Sequence, residues 1–147
     1  MTLAIAVGVG DEEETAQAVR SAVEQARARL GGVPAQAAYI TSTEDHEAAR
    51  VHAAFREALE GVPLHGVTTS LGVLTPFGVR NEGHGAVAVM LVGGAPGTAF
   101  VASSTESDGR RAGEAAAKAL LQQSGGKQPV MILFNASPGL EEAMLEG

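Results

Sequence analysis

The chain contains no cysteine and no tryptophan, only two lysines, and five aromatic residues in 147. Without cysteine it forms no disulfide, no thiolate metal site and no cysteine nucleophile, which fits a reducing, cytoplasmic setting. Two lysines and eight scattered arginines against 17 acidic residues leave a net charge of −7. A surface that tracks phosphates needs clustered cations, so no nucleic-acid partner is expected. The shortage of aromatics removes a stacking platform for single strands. The same negative charge disfavours anionic membrane surfaces, and no apolar run approaches transmembrane length. The opening MTLAIAVGVG has no basic flank and runs directly into DEEE, unlike a secretory signal.

What is present is a globular composition, 45% apolar and 18% charged. The core must be built from Ala, Val, Leu and Ile. Residues 3–8 form a short apolar run that reads as a covered strand. Asp11 with Glu14 three residues on resembles an acidic capping box, and Val19, Ala22, Val23, Ala26 and Leu30 recur at helical spacing up to Gly31-Gly32. Residues 35–41 read as a second strand, and Ser42 with Asp45 as a cap for a second helix with stripe Ala48, Val51, Phe55, Ala58 and Leu59. Further strands are expected at 64–69, 86–92, 98–103 and 130–135, with helices at 109–123 and from about Leu140. This alternation predicts an α/β fold with a mixed, largely parallel sheet flanked by helices.

A partial strand–helix–strand repeat runs through the chain. AVRSAVEQARARLGGVPAQAAYITS resembles AGEAAAKALLQQSGGKQPVMILFNAS, with Gly31-Gly32 recurring as Gly125-Gly126. After LEG at 59–61 the first copy continues, whereas at 145–147 the sequence ends. A fragment or shortened relative of a longer duplicated protein is therefore expected.

Reactive signatures are largely missing. VGVGDEEE lacks the third glycine of a dinucleotide loop and crowds four acids where a pyrophosphate would sit, so no nucleotide cofactor is expected. His46 and His52 stand six apart on the expected helix, not the four of a zinc pair, and no metal is expected. Ser70 in TTSLG has Thr68 where a nucleophile elbow needs glycine. A hydrolase using Ser70 or Thr69 with His65 remains the alternative reading. The remaining polar residues cluster at the carboxyl ends of expected strands, where open α/β sheets bind ligands. These are Thr41, Ser42, Thr68, Thr69, Ser70, Asn135 and Ser137, with Arg80 as the cation placed to pair with a ligand carboxylate. No catalytic residue is assigned.

GVPLHGVTTSLGVLTPFGVRNEGHGAVAVMLVGG, preceded by YITS and followed by QPVMILFNASPG, resembles the N-terminal domain of the FIST family. The likeness covers most of the chain as one FIST N-like domain. It implies an intracellular sensory module for a small polar metabolite, amino-acid-like in character, that signals to a partner or a fused output domain. A third reading is an interaction or assembly module, with the repeat surface buried against a partner or a second copy.

Overall fold

The computed structural model describes residues 3–70, 72–80 and 83–147. The chain divides into two compact units, 1–99 and 100–147.

The first unit begins with β1 (Ala4–Gly10), α1 (Thr15–Leu30), β2 (Ala35–Thr43), α2 (Ala48–Ala58) and β3 (Leu64–Thr69). A small hairpin, β4 (Val73–Thr75) and β5 (Gly78–Arg80), precedes β6 (Val87–Gly93). The sheet order is β1-β6-β2-β3. The expected mixed α/β sheet is present, but its parallel share is smaller than the alternation suggested. Among the described residues only β2 and β3 run parallel; β6 lies between β1 and β2 and is antiparallel to both. The β4–β5 excursion after β3 reverses the chain, so β6 enters the sheet from the opposite end.

Strand alternation gives the sheet two different faces. Ala6, Ala38, Ile40, Val87, Val89 and Leu91 pack with the helices' Val19, Val23, Val51, Phe55 and Leu59 in one buried cluster. On the same side of β1 come Gly8 and Gly10, where a Cβ would fall on the backbone carbonyl oxygens of Ala22 and Ala18 in α1. The helix and strand therefore meet backbone to backbone. β1 is also an edge strand, and α1 blocks two of its carbonyls: Arg29 Nη1 donates to Val7 O at 2.5 Å and Gln25 Nε2 to Val9 O at 2.6 Å.

The caps differ from expectation. Asp11 does not cap α1; Glu14 does, its carboxylate accepting from the amides of Ala16 at 3.0 Å and Gln17 at 2.8 Å. Nor does Ser42 cap α2. It lies inside β2, and Glu47 holds the N-cap position. The Ala16 and Gln17 amides, aided by Arg20 and Arg50 against a small desolvation penalty, hold the Glu14 carboxyl below the usual glutamate range. A depressed folded-state value means that the contribution is complete above the unfolded-state value and is lost as pH falls through the lower one. Thermal unfolding of wild type and Glu14→Gln should therefore show wild type higher at about pH 7, with the gap closing towards about pH 3. A gap that widens on acidification would contradict this cap.

The second unit contains α3 (Gly109–Gln123), capped by Asp108 Oδ1 on the Arg111 amide at 2.9 Å, and α4 (Glu141–Glu146). Arg110 pairs with Glu146 at 2.6 Å across the two helices. The expected strands at 98–103 and 130–135 are irregular segments instead. A strand is held by a neighbour's ladder, and no strand is present among the described residues of this unit. Val130 is fully exposed, and Met131, Ile132, Leu133 and Phe134 are each exposed as well. The repeat thus holds through helix and glycine pair and stops there. Gly31 and Gly32 have φ of 65° and 82°, and Gly125 and Gly126 have 64° and 77°. All four need the left-handed backbone that only glycine adopts cheaply.

Candidate functional site

The parallel pairing of β2 and β3 brings their carboxyl ends side by side. Thr41 lies beside Val67, Ser42 beside Thr68 and Thr43 beside Thr69. Alternation then divides the hydroxyls between faces. Ser42 and Thr68 lie on the helix side, where a groove of about 180 Å³ opens between β2, β3 and α2. Ile40, Val51 and Leu64 supply its apolar wall, Ser42, Thr68 and His52 its polar groups, and the β3 chain at His65 to Val67 one side. Ser42 is buried and Thr68 exposed, so one hydroxyl sits at the floor and the other at the rim. An apolar cleft with a few convergent polar groups is the usual form of a small-ligand site.

Thr41 and Thr69 belong to the other face of the same strands, both half-buried. Ser70 is exposed just past the end of β3. Of the expected ligand residues, the structure therefore brings Ser42 and Thr68 to one groove and leaves Thr41, Thr69 and Ser70 outside its lining. Arg80 is elsewhere, on β5, and lines a separate hollow. Asn135 and Ser137 belong to the second unit and to no strand; the Ser137 carbonyl accepts from the Leu140 amide in the turn before α4.

The hydrolase geometry does not form in this conformation. His65 and Thr69 lie four residues apart along one strand, roughly 13 Å at ~3.3 Å per residue, and Ser70 is farther still. A nucleophile and its base need to meet at hydrogen-bond distance, about 3 Å. His65 instead faces Tyr39 on β2, ring centroids 5.8 Å apart. His84, at the far end of the glycine-rich stretch, lies 3.7 Å from Glu13, so the two histidines do not converge.

Two buried residues have places that sequence spacing does not indicate. Thr43 Oγ1 accepts from the Ala86 amide at 3.0 Å while the Thr43 amide donates to Ala86 O, clipping the end of β2 to the start of β6. His46 is not on α2 with His52. It sits in the turn before it, 3% exposed, with Nδ1 3.1 Å from Thr15 Oγ1. Its Nε2 is buried without a hydrogen-bond partner among the described residues. The signal for Thr43 was present in the hydroxyl run ITST; nothing in sequence spacing distinguishes His46. Among the described residues, no three His, Asp or Glu side chains gather as a metal site.

Residues 36–147 match the family model of the FIST N domain. Among curated proteins, none matches this sequence. Similar solved structures include two of low sequence identity. Rv2704 from Mycobacterium tuberculosis, a member of the YjgF/YER057c/UK114 family, is 15% identical with a TM-score of 0.48, over 62% of this chain and 77% of that one. The FtsZ dimer of M. jannaschii is 12% identical with a TM-score of 0.39, over 61% of this chain and 26% of that one. No helix among the described residues is long and apolar enough to cross a membrane. With three quarters of its length matched, the chain belongs to the FIST family, whose domains are sensory modules of signal transduction.

Proposed function

We propose that the domain binds a small polar metabolite in the groove between β2, β3 and α2, and that occupancy is its sensory input. The observation that carries this reading is the meeting of Ser42 and Thr68, in register on parallel strands, in an apolar cleft bordered by an exposed helix face. About 180 Å³ is below the ~300–1,000 Å³ of pockets for drug-sized ligands, so the occupant has few heavy atoms. Hydroxyls, with no carboxylate, lysine or arginine among the lining residues, favour a ligand recognised by hydrogen bonds rather than by ion pairing. The cysteine-free composition suits a cytoplasmic sensor, and the output is a linked domain or a partner protein.

A thermal-shift panel of amino acids and small hydroxy and keto acids tests this. A ligand at 100 times its dissociation constant adds ~2.7 kcal/mol, a shift of several degrees for a domain of this size. Thr68→Val, which changes a rim hydroxyl for a methyl at constant shape, should weaken that ligand about fivefold or more by removing one hydrogen bond. A panel with no shifts, or a shift indifferent to both Thr68→Val and Ser42→Ala, would rule the groove out.

A further inference from the structure

A second hollow, about 250 Å³, opens on a different part of the first unit. β1 and the segment after it supply Val9 and Asp11, α1 supplies Gln25 and Arg29, and the β4–β5 hairpin supplies Phe77 and Arg80. Three of these groups are already committed. The Gln25 amide donates to Val9 O. Arg29 donates to Val7 O, and its guanidinium carbon lies 4.5 Å above the Phe77 ring, a cation–π contact that fixes the plane of the fork. Arg80 differs: it is exposed, and its side chain makes no hydrogen bond or ion pair with the described residues.

Two guanidinium groups and one carboxylate give the hollow a local charge of about +1 on a chain whose net charge is −7. We infer that it receives the carboxylate of a small organic anion between Arg29 and Arg80, independently of the groove proposed above. Arginine forks match a planar carboxylate through paired N–H donors, and a pre-oriented fork loses less freedom on pairing. Asp11 sets the charge that is accepted. A carboxylate at −1 balances the hollow, whereas a phosphate at roughly −1.5 to −2 overfills it. Because Arg29 belongs to α1 and Arg80 to the hairpin, the bound anion ties β4–β5 to the edge of the sheet.

The test is an amide NMR titration of the full chain at constant ionic strength with acetate, its neutral analogue acetamide, and inorganic phosphate. Acetate should give saturable shifts at residues 9–11 and 77–80, and acetamide none. Arg80→Gln should weaken acetate by about tenfold or more, the value of a charge-assisted pair, while leaving the unfolding temperature unchanged because the Arg80 side chain holds none of the described residues. Shifts that never saturate, that persist at full strength in Arg80→Gln, or that fall at residues 42 and 66–68 would overturn the site. Phosphate binding as tightly as acetate would overturn the carboxylate assignment.

Discussion

Phe55→Ala is expected to destabilise the first unit by ~3–5 kcal/mol, the range for removing a fully buried aromatic side chain. Phe55 is 0% exposed and heads the largest fully buried side chains, in a cluster otherwise made of Ala, Val, Leu and Ile. That composition is why the loss should fall in this range. The cluster contains Ala6, Ala18, Ala22, Ala26 and Ala38, whose single methyl groups cannot reach across to fill a space the size of a benzyl ring. A cavity that stays open costs its lining the lost contacts in addition to the transfer term. Urea unfolding should show a lower midpoint with an unchanged slope. Phe55→Leu, which keeps most of the volume, should lose far less. A loss below about 1 kcal/mol for the alanine variant would mean that α2 is not anchored through this residue. The effect reaches the groove as well, because Val51, one turn before Phe55, lines it.

The elements that could be read from sequence are those whose signal is local. α1, α2 and α3 follow from apolar spacing and end at glycine pairs or single glycines, and β1, β2, β3 and β6 from short apolar runs. Long-range choices left no such trace. Nothing in AVAVMLVGG states that β6 will insert between β1 and β2, and that insertion is what makes the sheet more antiparallel than the alternation implied. VMILF has the composition of a buried strand, yet the segment carries no ladder, because composition describes a side-chain preference and not a partner. In DEEE four neighbouring acids could each cap a helix, and Glu14 does so because it directly precedes Thr15, the first helical residue.

The site was legible to the same extent. The carboxyl-end rule pointed to Ser42 and Thr68, which do share a groove, and to Thr41 and Thr69, which alternation places on the opposite face. Register decides between them, and register is a property of two strands together. Arg80 was legible as a cation in a glycine-rich stretch, but its companions Arg29 and Phe77 lie 51 and three residues away, the first reachable only through the fold.

Gly8→Val should destabilise the same unit by ~3 kcal/mol or more, at the upper end for overpacking a tight contact. Along the helix-facing side of β1 the residues are Ala4, Ala6, Gly8 and Gly10, shrinking as the strand runs into α1. Opposite them Ala18, Ala22 and Ala26 are all 0% exposed. A Cβ at Gly8 meets the carbonyl oxygen and carbon of Ala22 and the amide nitrogen of Ala26, all of them helix backbone. Backbone cannot rotate aside as a side-chain tip can, so α1 must lift off the sheet and uncover part of Val19, Val23 and Leu30. Gly8→Ala separates this account from its opposite. In an unstrained extended strand with room for a methyl, replacing glycine restricts the unfolded chain and stabilises by ~0.4–1 kcal/mol. Close approach predicts a loss instead, so the sign alone decides. Ile5→Ala, on the other face of the same strand and 52% exposed, supplies the control and should change stability by less than about 1 kcal/mol. If Gly8→Ala raises the unfolding temperature, α1 does not rest on the β1 backbone, and its hold on the sheet must come from side chains such as Val19, Val23 and Leu30.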